Sequence, residues 1–248
     1  MSEEFILNTR AEDVINEAIV ACRGLADNFS SLPVVEYVCS AIFLKMTGLL
    51  EQKFRAMVWF MANNSRDYRR TFLRERSFGE YSNLSDKKTV YKDLIEQIFV
   101  YRKDPFEINH KQIAKAVVDF IVSIFKETIF DSNLHGELLA FCDSMSKQSF
   151  CIQKITTEKV THSLIPNESV KTLFEEVIKC RNRVAHNTYV NLSVQNDITE
   201  LCSRRELDCC NVFMQFFILL YIDNIFNETY KIYIINRVVL VSIIFLIR

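Results

Sequence analysis

Glycine and proline are scarce in this sequence, with four and three residues respectively in a chain of 248. Strand-rich domains join their strands by many tight turns, and those turns depend on glycine and proline. Their scarcity argues against an all-β fold and predicts long helices joined by few loops. The length fits one large domain, and the 49% of hydrophobic residues is enough to bury a sizeable core.

An excess of charge of one sign is also missing. The formal net charge is −1, so no overall basic field indicates a nucleic-acid partner. A local basic cluster would have to bind the nucleic acid instead.

Motifs for nucleotides and for metals are missing as well. The sequence has no G-x-x-x-x-G-K-[ST] and no G-x-G-x-x-G motif, which leaves nucleotide hydrolysis and dinucleotide binding without support. None of the eight cysteines forms a C-x-x-C pair. We therefore expect reduced core thiols, no metal and no cofactor.

Neither terminus has a clear targeting or membrane pattern. The first residues, MSEEFILNTRAED, have no basic region followed by an apolar segment, so we predict no signal peptide. The last ones, IYIINRVVLVSIIFLIR, are apolar but interrupted by Asn236 and Arg237, and are shorter than the about 20 residues of a spanning helix. They predict a buried helix or strand, or a dimer-forming element, with a membrane tail as the alternative. We expect a cytoplasmic protein without stable membrane insertion.

An apolar period of 3.6 residues recurs along most of the chain. It predicts a first helix over 9–27, a second over 33–64 that begins at a proline, and a helix capped by Ser85. Residues 151–166 predict a loop with a short hairpin, and the final long helix is predicted over 197–230. The predicted fold class is therefore all-α, a helical bundle.

Polar residues with a distinctive spacing interrupt the apolar helical pattern in EEVIKCRNRVAHNTYV. Asn182 and His186 are four residues apart and share a helix face, whereas Arg181 and His186 differ by about 140° around the axis. A long arginine stem can wrap back, so the three side chains can meet on one small anion. Histidine exchanges a proton near neutral pH, arginine offers a planar fork to phosphate oxygens, and asparagine can orient either partner.

No carboxylate cluster for a divalent cation accompanies this motif in the sequence. A proton-exchanging side chain with a phosphate clamp and no metal suits the cleavage of RNA by its own 2′-hydroxyl. The substrate then carries the nucleophile, and the protein needs only to move protons and stabilise the developing negative charge.

The hexamer RNRVAH, Arg181 to His186, resembles the R-x(4–6)-H motif of the HEPN superfamily (higher eukaryotes and prokaryotes nucleotide-binding). The resemblance implies an antiparallel helical bundle over 1–248. The order of the predicted helices separately makes 66–165 a possible helical insertion between the second helix and the motif helix. It also implies a metal-independent endoribonuclease, a toxin or antiphage-defence effector, in which His186 is the general acid and base, Arg181 the transition-state clamp and Asn182 the orienting residue. Members typically pair two motifs, and this chain has one, so the resemblance implies a homodimer with a composite site.

The resemblance also bears on partners and supporting residues. Toxins of the family that pair with an antitoxin often have a tyrosine two residues after the histidine, whereas Tyr189 here follows by three. That departure argues against an antitoxin; the partner that the resemblance implies is an antitoxin or another defence-system protein. Family members often have a polar residue on the second helix that faces the motif, and Glu51 is the candidate.

The run RDYRRTFLRERSF is the first choice for an RNA-binding groove. Arginines can contact phosphates, and the interleaved Tyr68 and Phe72 can stack on bases; a solvated helix face is the alternative. A non-catalytic helical scaffold that binds a partner protein is the rival to a ribonuclease, and a membrane-associated helical protein is the third possibility. The RNA-binding candidates are Arg66, Arg69, Arg70, Arg74, Arg76 and Arg183.

Overall fold

The computed structural model describes residues 3–23, 32–75, 79–126, 128–157, 162–185 and 209–246. These residues form nine helices and one two-stranded sheet, which confirms a mostly helical protein. In chain order the elements are α1 (Glu3–Asn8), α2 (Ala11–Arg23), α3 (Leu32–Asn64), α4 (Arg66–Glu75), α5 (Leu84–Tyr101), β1 (Phe106–Asn109), α6 (His110–Phe125), α7 (Ile129–Ser146), β2 (Ile152–Ile155), α8 (Glu168–Ala185) and α9 (Val212–Leu246).

Helix α9 lies at the centre of the fold. Every residue from 211 to 223 is buried, as expected of a helix that is apolar on all sides. It packs against α2, α3, α5, α6, α7 and α8. The helix continues to Leu246, so the strand predicted as one possibility for the C-terminal residues is wrong, and Ile235 and Val238 on this part are exposed rather than buried. The predicted start at 197 lies outside the described residues.

Helix α3 ends where the sequence predicts and begins one residue earlier, at Leu32, with Pro33 in its first turn. Among the described residues, one helix is long and apolar enough to cross a membrane, judged by length and composition only, and it is α3 over Pro33–Asn64. Core helices share both properties, and α3 contributes Phe43, Phe54 and Met57 to the core. Residues of the 66–165 segment, such as Leu94, join the same core, and the insertion boundary stays a prediction.

The starts of two helices differ from the prediction. Helix α5 is capped by Asn83 rather than Ser85, because the Asn83 side chain accepts a hydrogen bond from the Asp86 backbone N–H and donates one to the Asp86 carboxylate. The predicted helix over 9–27 is α2, which covers Ala11–Arg23, and the short α1 (Glu3–Asn8) that precedes it was not predicted. The backbone N–H of Ala11, the first residue of α2, donates to the distant Asp223 carboxylate at 2.9 Å.

The small sheet joins distant parts of the chain. β1 and β2 pair antiparallel with Phe106 opposite Ile155, so the hairpin predicted within 151–166 is wrong. His110, at the start of α6, is fully buried beside the sheet, and its Nδ1 lies 2.8 Å from the Tyr221 hydroxyl of α9. The Gln153 amide nitrogen donates to Nε2 of His110 at 3.1 Å. The same amide group also donates to the carbonyl oxygen of Ser163 and accepts a hydrogen bond from the Ser163 backbone N–H. This network fixes a neutral His110 that donates from Nδ1 and accepts at Nε2.

Acidification is expected to weaken the fold through His110. Burial lowers the pKa of His110 below its ordinary 6.5. The unfolded chain then binds the proton more readily, so stability present above about pH 6.5 is lost as the pH falls toward the folded-state pKa. Urea unfolding at about pH 7.5 and about pH 5.5 should show a smaller pH dependence of the free energy of unfolding for His110→Gln than for wild type. The matched control is His135→Gln at an exposed position of α7; an unchanged pH dependence in His110→Gln would contradict the prediction.

Candidate functional site

The candidate site is built on α8, which carries the RNRVAH motif. The Asn167 side chain accepts a hydrogen bond from the Val170 backbone N–H and so caps the helix at its start. Val170, Phe174 and Val177 recur along one face and are buried against the core. Four residues after Val177 the same face reaches Arg181, where the helix meets the middle of α3. The sequence therefore places a guanidinium where the buried stripe of α8 reaches the surface.

The Arg181 guanidinium is held by two side chains. Nη2 donates to Oε1 of Glu51 at 2.8 Å, and Nη1 donates to Oδ1 of Asn182 at 3.0 Å. The side chains of Arg181 and Glu51 are 25% and 17% exposed, so their ion pair is partly shielded yet still reaches solvent. A charge-assisted bond of this geometry orients the planar guanidinium, which keeps further N–H groups for an anion.

The structure thus brings together three of the predicted site residues, Arg181, Asn182 and Glu51. The Glu51 carboxylate lies on α3, which is the second of the helices predicted from the sequence, and it contacts Arg181 of the motif. His186 follows α8 directly in the sequence and lies outside the described residues. Arg76 lies outside them too, and Arg183 belongs to α8 but its side chain is not among those described.

The other predicted RNA-binding arginines form an exposed face of α4. Arg66, Arg69, Arg70 and Arg74 are all exposed there. The expected stacking of bases on Tyr68 and Phe72 is wrong, because both rings are buried and the Tyr68 hydroxyl donates to the Asp93 carboxylate of α5 at 3.0 Å. Helix α4 is strongly amphipathic, with its aromatic residues as the inner face and its arginines as the outer one.

A buried lysine that was not among the predicted site residues lies beside the ion pair. Lys87 is 1% exposed in the first turn of α5, and its ammonium donates to the carbonyl oxygens of Tyr81 and, at 3.0 Å, of Ser82. Burial lowers its pKa to about 8, an effect that the nearby Glu51 opposes and Arg181 reinforces. A signal was present, because Lys87 replaces an apolar residue in the stripe that includes Leu84, Tyr91 and Leu94.

The backbone that Lys87 binds is strained. Tyr81 has φ = 56°, a left-handed conformation that costs a residue with a side chain about 1–2 kcal/mol. Such strain persists where surrounding contacts enforce it, and it is frequent at functional sites. Here the Lys87 ammonium binds the carbonyl of that same residue, so the turn before α5 is held in place next to the ion pair.

The chain finds no match among known protein families, curated proteins or solved structures. Across the described ranges, no group of three or more His, Cys, Asp or Glu side chains is arranged to hold a metal ion.

Proposed function

We propose that the protein is a HEPN-type endoribonuclease that cleaves RNA without a metal ion and works as a homodimer in the cytoplasm. The single observation that supports the proposal best is the partly exposed guanidinium of Arg181, on the helix that precedes His186 in the sequence. Glu51 and Asn182 hold this guanidinium in a fixed orientation. A fixed cation followed closely by a proton-exchanging side chain is what phosphodiester transesterification needs.

The reaction would proceed by attack of the ribose 2′-oxygen on the adjacent phosphorus. A neutral His186 accepts the 2′-hydroxyl proton, the bond from phosphorus to the 5′-oxygen breaks, and a protonated His186 of the second protomer donates a proton to that leaving oxygen. Arg181 stabilises the extra negative charge on the phosphoryl oxygens at the transition state. The products are a 2′,3′-cyclic phosphate and a 5′-hydroxyl, and no water is consumed.

The RNA strand would reach the exposed arginine face of α4. Helix α5 contacts both regions. It carries Lys87 next to the ion pair and, six residues later, Asp93, which accepts a hydrogen bond from Tyr68 of α4. Six residues correspond to a rise of roughly 9 Å along the helix. The inner face of α4 is thus held to α5 about two helical turns from Lys87, and the arginines lie on the outer face of α4. Phosphate contacts of this kind give affinity without sequence preference. The proposed contacts are Arg66, Arg69, Arg70 and Arg74, together with Arg76 and Arg183.

The proposed role in the cell is that of a toxin or an antiphage-defence effector. An RNA-cleaving enzyme of this kind must be restrained, so an antitoxin or another defence-system protein is a proposed partner.

The proposal is tested by the end chemistry of RNA fragments formed in EDTA. Wild-type protein should give 2′,3′-cyclic phosphate ends by mass spectrometry, and His186→Ala should reduce the cleavage rate by about 10²- to 10⁴-fold. His135→Ala, at an exposed position of α7, is the matched control and should cleave like wild type. Cleavage by His186→Ala at the wild-type rate, 3′-hydroxyl ends or a requirement for a divalent cation would contradict the proposal.

The second candidate function is a non-catalytic scaffold, and the same ion pair favours it. A guanidinium already paired with Glu51 has part of its charge neutralised, which suits a structural contact between α3 and α8. Wild-type protein that leaves every tested RNA intact, yet copurifies in a stable complex with a second protein, would support the scaffold over the ribonuclease.

A further inference from the structure

Lys87 lies between the two helices that carry the ion pair. Its Nζ is 5.7 Å from the ring centroid of Phe54 on α3 and 5.6 Å from that of Phe174 on α8. Phe54 follows Glu51 by three residues and Phe174 precedes Arg181 by seven, so each ring shares a helix face with one member of the pair. One ammonium thus contacts both helices on the faces that bring Glu51 and Arg181 together.

Three charged side chains act on the Lys87 ammonium. Glu51 faces it from α3, Arg181 from α8, and Asp86 from its own helix. A cation in the first turn of a helix is opposed by the helix dipole, and a buried one also loses its hydration. The fold keeps it there by two backbone carbonyls and two aromatic rings, which marks a position with a specific electrostatic role.

We propose that Lys87 is a positioning residue of the proposed ribonuclease site, on which this inference rests. Its charge attracts the Glu51 carboxylate from one side while Arg181 binds that carboxylate from the other. Glu51 is thereby shared between two cations, and the guanidinium keeps more of its positive field for a phosphate. When Lys87 loses its proton, Glu51 pairs with Arg181 alone, and the phosphate is held less strongly.

The first test is independent of RNA cleavage. In the full-length chain with isotope-labelled lysine, the NMR signal of Lys87, assigned by its absence in Lys87→Met, should titrate near pH 8. Glu51→Gln should lower the midpoint and Arg181→Met should raise it, each by roughly 0.5 pH or more, because the two charges act in opposite directions. Lys92→Met, an exposed position on α5, should leave the midpoint unchanged.

The second test is the pH profile of RNA cleavage. Wild type should lose activity on the alkaline side near pH 8, and Lys87→Met should be about tenfold slower at neutral pH without that alkaline decline. Lys87→Arg, which stays charged, should restore the neutral activity and carry it above pH 8. A merely structural lysine would leave the shape of the profile as it is in wild type.

The outcomes separate the two proposals. A Lys87 midpoint above about pH 10, or one that neither Glu51→Gln nor Arg181→Met moves, overturns the positioning role even if RNA is cleaved. A midpoint that responds to both substitutions supports that role even if no RNA is cleaved, in which case the ribonuclease proposal alone fails. The Lys87 signal can also be assigned by its absence in Lys87→Arg, so the NMR test holds even if Lys87→Met does not fold.

Discussion

Replacing Asp223 with alanine is expected to lower the free energy of unfolding by about 3–5 kcal/mol. The Asp223 carboxylate, 1% exposed on α9, binds Lys53 Nζ of α3 at 2.5 Å and also accepts hydrogen bonds from the Ala11 N–H and the Asn227 side chain. Its removal leaves a fully buried ammonium without its carboxylate and the first N–H of α2 without its acceptor. Urea unfolding followed by circular dichroism at neutral pH measures the loss.

Two controls distinguish this buried pair from ordinary charge pairing. Asp143→Ala breaks an exposed pair with Lys147 on α7, and its cost should stay below about 1 kcal/mol. The double substitution Lys53→Met with Asp223→Leu should recover most of the stability lost in Asp223→Ala, because no unpaired charge remains buried. A cost for Asp223→Ala no larger than that for Asp143→Ala would show that the pair does not hold α2, α3 and α9 together.

The long helices are predictable from the sequence because their apolar period decides their burial. Pro33 marks the start of α3, and the apolar run that includes Phe213 and Phe217 becomes the buried part of α9. These features are local, so a single sequence contains the information. The mostly helical class follows from the same patterns and from the lack of glycine and proline.

Charged residues inside those apolar stripes also carry information on the fold, and no prediction was drawn from them. Lys53 lies in the stripe of Met46, Leu50 and Met57, and all four residues are buried. Asp223 likewise interrupts the apolar run of α9. A buried charge must find a partner, so each predicts a buried ion pair. Which lysine pairs with which carboxylate depends on how distant helices pack, and one sequence does not contain that.

Caps and the sheet were mispredicted for a related reason. Ser85 and Asn83 are both good caps by residue type, and the reciprocal bonds with Asp86 decide for Asn83. The β2 strand pairs with β1, more than forty residues earlier in the chain. Composition around 151–166 indicates a break in the helices, but it does not identify the partner strand, because that strand lies far away in the sequence.

The site divides into a local and a non-local part in the same way. The RNRVAH motif is read from six consecutive residues, and it places Arg181 and Asn182 side by side. Glu51 was chosen from a resemblance, and its contact with Arg181 comes from the packing of α3 on α8. Through this contact Glu51 fixes the plane of the Arg181 guanidinium and neutralises part of the guanidinium charge.

That balance predicts that two substitutions both slow RNA cleavage but differ in their effect on RNA binding. Arg181→Lys should reduce the single-turnover rate by about 10²- to 10³-fold, because a lysine lacks the planar fork that holds phosphoryl oxygens. Glu51→Gln should tighten RNA binding, since it frees the guanidinium charge, yet slow the chemical step, since the plane is no longer fixed. Arg102→Lys, whose guanidinium binds the backbone of the 104–105 turn, is the control. Equal rates for Arg181→Lys and wild type would show that Arg181 does not stabilise the transition state.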